Sequence, residues 1–238
     1  MKITLIGAGR AGRSFALALA DVGHDVRLAH HDDLGELETP ELILLTVPDD
    51  AILQLSLRLP MREDVVVAHV AGSRGLEELA GHPRTAFLHP LVALPNPEVG
   101  AARLQGALFS VGGDALIDDV VTSLSGRALY VRDEDRVLYH AAAAVTANHL
   151  VALMGQVQVL AESIGLNLED FLPLAQQALD DVVTLGVDLA LTGPASRADM
   201  ATIDAHLAAI PDSERAAYVA MANLAFEVAE RRRLTAHA

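Results

Sequence analysis

The chain of 238 residues is long enough for one large domain or two small ones with a buried core. Its formal net charge of −15 disfavours a nucleic-acid-binding protein, which would present a basic surface. It contains no cysteine, which excludes disulfides, thiolate nucleophiles and cysteine-bound zinc and favours a reducing compartment. Only 3% of the residues are aromatic, and this composition favours closely packed helices over a β-sandwich.

The hydropathy of the chain predicts a soluble, cytoplasmic protein. The apolar run after Lys2 has only four residues before Gly7, which is too short for the apolar core of a signal peptide. No segment approaches the roughly 18 uninterrupted apolar residues of a membrane span, so no membrane partner is expected. The ten histidines form no HExxH or comparable cluster, and no metal site is predicted.

The first 130 residues alternate short apolar runs with helical stretches. A helix is predicted over 11–22, because its periodic apolar pattern stops at Gly23. Such alternation predicts right-handed crossovers and a mainly parallel, doubly wound α/β sheet. The predicted strands are 2–6, 25–29, 41–47, 64–70, 85–88, 107–111 and 128–131.

After Arg132 the strand pattern ends and helices follow. A long helix is predicted over 134–164, with acidic residues in its first turn and Gly165 after its end. We therefore predict a Rossmann dinucleotide-binding domain over 1–130 and an all-helical substrate and dimerisation domain over 131–238. The further predicted helices are 168–185, 197–209 and 213–232.

The sequence GAGRAG follows the first strand directly and opens a helix. In a G-x-G-x-x-G motif the first glycine permits the turn, the second lets the backbone approach a pyrophosphate, and the third allows close helix–strand packing. The N–H groups at the helix start would face the phosphates, and this context is the one in which the motif indicates a dinucleotide. The predicted cofactor-binding residues are Gly7, Ala8, Gly9, Arg10, Ala11, Gly12, His30 and His31, with Val47 and Pro48 beside the nicotinamide ribose.

The residues after the second strand bear on the choice between NADP and NAD. NAD sites place an acid there to bind the ribose hydroxyls, whereas NADP sites place a cation. His30 and His31 stand first, which favours NADP, but Asp32 is close enough to bind the ribose and leaves NAD open. The alternative interpretation of the two histidines is a solvated loop.

Later loops follow strands at the edge where doubly wound sheets bind ligands. One of Asp49 and Asp50 is expected to cap the next helix. Ser73 and His89 follow two further strands at the same edge, and both are predicted to bind the substrate.

The long predicted helix carries two polar side chains in an apolar run. His140, Ala144 and Asn148 are spaced four residues apart, so they would share one stripe of an α-helix. His140 is predicted to donate or accept a proton and Asn148 to orient a carbonyl. The alternative is a core helix whose polar residues are satisfied locally.

A loop enters a helix near residue 197. Arg197 is predicted to clamp a substrate carboxylate, with Thr192 as a hydrogen-bond partner. Asp199 would serve as a helix cap or an ion-pair partner. A small molecule that carries a carboxylate is therefore one expected substrate.

The chain resembles a group of Rossmann-like proteins described as NADP oxidoreductases. The resemblance lies in GAGRAG at 7–12, TVPDDAI at 46–52, FLHPL at 87–91, YHAAAAVTANHLVAL at 139–153 and LTGPASRADMATIDAHL at 191–207. More distantly, the chain is similar to ketopantoate reductases, pyrroline-carboxylate reductases and β-hydroxyacid dehydrogenases. This resemblance implies a helical domain like that of 6-phosphogluconate dehydrogenases, which often dimerises, an active site between the domains, and NADP, although some relatives reduce deazaflavins.

One position departs from the relatives. Ketopantoate reductases and β-hydroxyacid dehydrogenases carry a catalytic lysine four residues before an asparagine that corresponds to Asn148. That position is Ala144 here, and His140 is the available substitute. Two functions stay open: an NAD(P)-dependent oxidoreductase acting on a small carbonyl, imine or hydroxy acid in the interdomain cleft, and an NADP-binding regulatory or scaffold protein without turnover. A homodimer is expected in either case.

Overall fold

A computed structural model describes residues 1–30 and 39–235 of the chain. They form two compact units, Met1–Ala147 and Asn148–Ala238, which we call the sheet unit and the helical unit. The last strand ends at Tyr130 and the sheet unit continues to Ala147, and the domain boundary at residue 130 stays a prediction.

Seven strands of the sheet unit form one sheet in the order β2-β1-β3-β4-β5-β6-β7. Neighbouring strands are parallel except β5 and β6, so the predicted mainly parallel, doubly wound sheet is confirmed. The order reverses between β1 and β3, which is the switch point where such sheets bind nucleotides. The strands are β1 Lys2–Ile6, β2 Asp25–Ala29, β3 Leu42–Leu45, β4 Val66–His69, β5 Thr85–Pro90, β6 Leu108–Gly113 and β7 Arg127–Tyr130.

The central strands are covered on both faces, which explains their nearly unbroken aliphatic sequences. All residues of β3 and β4 are buried. One core cluster packs around Phe15 and Phe109, and a second packs around Ile52. The helices of this unit are α1 Arg10–Asp21, α2 Ile52–Ser56, α3 Pro97–Leu104, α4 Leu116–Ser123 and α5 Arg136–Ala144, with 3-10 turns at Asp49–Ala51, Leu76–Leu79 and Asp133–Asp135.

The carboxyl-terminal region is helical, as predicted. A π-helix at Val145–His149 follows α5, so the predicted long helix is divided. Arg197 was expected inside a helix, but α10 begins later because Asp199 caps it, accepting a hydrogen bond from the Thr202 amide at 3.1 Å. The helices are α6 Leu150–Glu162, α7 Leu172–Leu185, α8 Val187–Ala190, α9 Gly193–Ser196, α10 Met200–Ala209 and α11 Asp212–Thr235, with a 3-10 turn at Leu168–Asp170.

One helical run, Asp133–Glu162, is long and apolar enough to cross a membrane by length and composition alone. A single run of this kind is weak evidence of a membrane span, because helices of soluble proteins pass the same test. Its first residues pack in the sheet unit, where the Arg136 side chain is only 1% exposed.

Candidate functional site

The glycine turn has the geometry that a nucleotide-binding loop needs. Gly7 has a φ of +119°, and a side chain there would lie 2.7 Å from the Thr46 carbonyl oxygen. A side chain at Gly12 would clash with the carbonyl oxygen of Gly7. Gly9, by contrast, has no atom within 4 Å of the position that its Cβ would take. The backbone at Gly7 and Gly12 is thus tightly packed, whereas the space beside Gly9 is empty. This arrangement would let a pyrophosphate approach the turn at Gly9.

A cleft of about 420 Å³ opens at this turn, within the sheet unit. The start of α1 forms part of it, and the end of β5 contributes His89. Five of the predicted cofactor residues and one predicted substrate residue therefore line the same cleft. The lining residues are Gly9, Arg10, Ala11, Phe15, Thr46, Val47, Pro48, Val70, His89, Pro90, Val92 and Leu94.

The remaining predicted cofactor residues have different positions. The Ala8 carbonyl oxygen accepts a hydrogen bond from Arg13 Nε at 2.9 Å, which stiffens the turn. His30 is exposed after β2 and is not among the residues that line the cleft. His31 and Asp32 lie outside the described residues, so the choice between NADP and NAD stays a prediction.

The prediction that Asp49 or Asp50 caps a helix is wrong. The 3-10 turn at Asp49–Ala51 has Pro48 at its amino-terminal cap position and no side-chain cap. Asp49 instead accepts a hydrogen bond from the Ser73 hydroxyl, at 3.4 Å between Oγ and Oδ2. Ser73 thereby joins the loop after β4 to the loop after β3.

Two predicted site histidines, His89 and His140, lie side by side. Their ring centroids are 5.6 Å apart, and the rings meet edge to face. His89 Nδ1 lies 3.1 Å from the Tyr139 hydroxyl oxygen. His140 Nδ1 is buried and has no hydrogen-bond partner. The end of β5 and the first turns of α5 thus bring two imidazoles and a phenol together.

Gly72 makes this close pairing possible. A methyl group at residue 72 would lie 2.5 Å from His140 Nδ1 and 2.8 Å from His89 Nε2. Both distances are shorter than a carbon–nitrogen contact allows, so any side chain there would displace one or both rings. Gly72 therefore belongs to the site because its lack of a side chain leaves room for the two rings.

The loop after β4 is held from two directions. His69 Nδ1 accepts a hydrogen bond from the Ala71 amide at 3.2 Å, which leaves its Nε2–H to donate to the Gly75 carbonyl at 2.9 Å. Arg136 donates from Nη2 to the Ala71 carbonyl at 2.9 Å and from Nε to the Arg74 carbonyl at 2.7 Å. These bonds fix Gly72 and Ser73 beneath the histidine pair.

Burial keeps His89 and His69 neutral at neutral pH. Burial, followed by the charges of His140, Arg136 and His69, lowers the pKa of His89 to about 4. Burial is also the main cause that lowers the pKa of His69. Burial raises the pKa of Tyr139, although Arg136 opposes that rise. At neutral pH His89 and His69 are therefore neutral imidazoles, Tyr139 is a neutral phenol and Arg136 is a cationic guanidinium.

Three predicted site residues belong to the helical unit. Asn148 lies in the π-helix and is exposed, and the α-helical spacing that would place it on one stripe with His140 ends at Ala144. Thr192 is exposed at the amino-terminal cap of α9, and Arg197 is exposed after α9. Their roles stay predictions.

Tyr139, Arg136 and Gly72 were missed from the sequence. Arg136 lies four residues before His140, so the helical spacing could have indicated a shared face. Gly72 carried no signal, because its role depends on rings from two distant segments.

Residues 111–225 match a family model described as a domain of unknown function, DUF2520, which covers just under half of the chain. No curated protein matches the sequence. One similar solved structure is a "putative NADP oxidoreductase" from Bacteroides fragilis, with 22% identity over 95% of this chain and 98% of that one, and a TM-score of 0.80. Another is a protein from Thermotoga maritima, with 21% identity over 97% and 99% and a TM-score of 0.75.

A pyrroline carboxylate reductase from Plasmodium falciparum with NADP bound is also similar. It shares 11% identity over 98% of both chains, with a TM-score of 0.61. The predicted resemblance is confirmed at the level of the fold. The chain thus has a Rossmann-type fold with a helical carboxyl-terminal region, and its residues 111–225 carry the DUF2520 match.

Proposed function

We propose that the protein is an NADP-dependent oxidoreductase that transfers a hydride to or from a small carbonyl, imine or hydroxy-acid substrate. The observation that carries this proposal is the single cleft that the glycine turn and His89 both line. Gly9 and the start of α1 would hold the pyrophosphate, Arg10 a phosphate, and Val47 and Pro48 the nicotinamide ribose. NADPH bound there supplies the hydride chemistry.

His89 would donate a hydrogen bond from Nε2 to the reacting oxygen or nitrogen of the substrate. With the Tyr139 hydroxyl donating to Nδ1, the ring proton of His89 lies on Nε2. Because the pKa of His89 is about 4, the ring is neutral at pH 7 and retains this proton. His140 stays the proposed acid–base catalyst, in edge-to-face contact with His89.

Two solved structures support NADP as the cofactor: the Bacteroides protein by its description and the Plasmodium reductase by its bound NADP. The substrate roles of Ser73, Thr192 and Arg197 and the orienting role of Asn148 complete the proposal. They require the helical unit to contribute to an interdomain cleft, with Arg197 binding a substrate carboxylate.

The test is NADPH oxidation over a panel of aldehydes, keto acids and cyclic imines, together with NADPH affinity from fluorescence titration. We expect turnover by the wild type, and its loss in His140→Ala with NADPH affinity unchanged. His206→Ala is the matched control, because His206 also contacts a tyrosine but is exposed in the helical unit. Tight NADPH binding without turnover over the whole panel would contradict the proposal.

A second candidate function is NADP binding without turnover, in a regulatory or scaffold protein. Ala144 favours it, because the lysine of related dehydrogenases is missing at that position. The same panel distinguishes the two functions.

The proposed active form is a cytoplasmic homodimer joined through the helical units. The described part of the helical unit buries only five apolar side chains, those of Ala161, Ala195, Ile203, Ile210 and Ala229, while Val183 is 86% exposed and Leu174 65%. So small a core favours burial against a second copy. We expect light scattering to give twice the 25.1 kDa chain mass, and Val183→Asp to reduce it where Met61→Asp in the sheet unit does not. A monomeric wild type would contradict the dimer.

A further inference from the structure

Arg136 places an unusual charge behind the histidine pair. Its guanidinium is 1% exposed and lies 3.5 Å from the centroid of the Phe87 ring. It donates to two backbone carbonyls, Nη1 is buried without a partner, and no carboxylate among residues 1–30 and 39–235 forms an ion pair with it. A buried arginine is ordinarily paired, because an uncompensated charge in a protein interior is costly.

Among the described residues, the acidic side chains nearest to Arg136 and His69 do not form ion pairs with Arg136. Asp49 accepts from Ser73, and a Glu77 oxygen accepts from the Gly75 amide at 3.1 Å. Asp133 is exposed in the 3-10 turn before α5. At His89 the neighbouring ionisable groups are His140, Arg136 and His69, all of which are bases, and Arg136 is the one that carries a permanent charge. The surroundings of His89 are therefore biased towards positive potential in a chain whose net charge is −15.

We propose that this site selects a carbonyl compound, an aldehyde, ketone or keto acid, over a cationic iminium, and that Arg136 sets this preference. The inference rests on the proposed function, because it assigns the substrate class of the same site. Arg136 acts here as a positioning residue through the loop after β4 and through its charge.

The preference follows from the charge that develops on the substrate. When a carbonyl carbon takes the hydride that NADPH supplies, leaving NADP+, the C–H bond forms, the C=O π pair moves to oxygen, and the resulting alkoxide takes one proton through His140, the proposed acid–base catalyst. An iminium instead starts with a positive charge and loses it. A fixed positive charge near the reacting atom stabilises a developing alkoxide and disfavours binding of an iminium. His89 Nε2–H would donate to the oxygen that becomes the alkoxide.

Acetate and acetamidinium are suitable probes, because they have the same planar shape and opposite charges. Both would be titrated into the NADP-loaded protein while the side-chain resonances of His89 are followed by NMR. We expect acetate to bind about tenfold or more tightly than acetamidinium, from charge attraction in a partly buried site. Arg136→Met should remove this ratio, and Arg136→Lys should retain part of it.

Arg132→Met is the matched control. Arg132 lies four residues earlier, is 72% exposed and pairs with Glu134 and Asp135, so its removal subtracts the same charge from the surface. It should leave the acetate-to-acetamidinium ratio unchanged. If Arg136→Met does not fold, the acetate-to-acetamidinium ratio of Arg136→Lys is compared with that of the wild type, and a lower ratio in Arg136→Lys supports the inference.

Equal or tighter binding of acetamidinium, no effect of acetate on His89, or an unchanged ratio in Arg136→Met would overturn the inference. The substrate panel separates this failure from that of the proposed function. Faster reduction of imines than of carbonyls would support the oxidoreductase and overturn the preference. An absence of all turnover, together with an Arg136-dependent acetate preference, would overturn the oxidoreductase and support the assigned charge selectivity.

Discussion

Two histidine–tyrosine pairs of similar geometry lie in the two units of the molecule. His89 and Tyr139 in the sheet unit have ring centroids 5.7 Å apart at 89°, and His206 and Tyr218 in the helical unit have theirs 5.9 Å apart at 88°. The first pair is half-buried among other bases and its His89 lines a cleft, whereas His206 is exposed on the surface of α10. The same ring contact thus occurs in a half-buried cluster beside a cleft and on an exposed helix surface, and we propose a chemical role only for the half-buried pair.

Glycine to alanine substitutions in the two units should have opposite effects, and Gly12→Ala should have the largest effect of any single substitution. Its methyl group would clash with the Gly7 carbonyl and force α1 away from β1. We expect NADPH affinity to fall by about 100-fold or more, equivalent to about 2.7 kcal/mol, with loss of thermal stability. Fluorescence titration and thermal melting would measure both. Unchanged affinity would show that the turn does not hold the cofactor.

The stability of the sheet unit should depend on pH because its His89 is buried and neutral. The pKa of His89 in the folded chain is about 4, below its unfolded value, so the unfolded chain binds more protons between about pH 6.5 and 4. Stability should therefore fall as the pH falls through this window, by about 3 kcal/mol from His89. Urea unfolding at pH 7 and pH 4 measures the loss, which should be smaller in His89→Asn. Equal losses of the free energy of unfolding in His89→Asn and the wild type would show that His89 is not a buried, neutral imidazole.

Gly72→Ala should have an intermediate effect, mainly on the chemical step. Displacement of the His89 and His140 rings should lower kcat by about 10- to 100-fold, since small misplacements of reacting groups are costly. NADPH affinity should fall much less than kcat, because Gly72 itself does not line the cleft and the glycine turn is unaffected. Equal losses of kcat and NADPH affinity would indicate a general disruption of the sheet unit instead.

The smallest effect is expected from Gly155→Ala in the helical unit, and its sign should be positive. Gly155 lies inside α6 with no atom within 4 Å of its missing Cβ, so alanine should stabilise the helix by about 0.5–1 kcal/mol. Chemical unfolding would measure this gain. A loss of stability or of dimer mass would instead indicate that a second copy packs closely against Gly155.

How far the sequence predicts this molecule depends on the range of each interaction. The glycine turn is local, and its three glycines were predicted with their individual functions. The pairing of His89 with His140 could not be predicted, because it depends on the packing of α5 beside the end of β5. The cap predicted at Asp49 or Asp50 was wrong for a similar reason, because the partner of Asp49, Ser73, lies 24 residues away in the sequence.

The boundaries of elements were displaced by similar long-range effects. The strand predicted over 85–88 continues to Pro90, because β6 pairs with it as far as Phe109. The long helix is divided by a π-helix for which no sequence signal was identified, and such turns are frequent at functional sites. The burial of Arg136 could not be predicted for a different reason, because an arginine at the start of a helix is ordinarily solvated.

The central claim is that a cofactor held by the glycine turn lies beside His89, and histidine NMR tests it most directly. NADPH would be titrated into the wild-type protein while the imidazole resonances of His89 and His206 are followed. The account predicts that His89 shifts in proportion to the bound fraction while His206 does not move. A His89 resonance that stays in place at saturating NADPH would contradict the account.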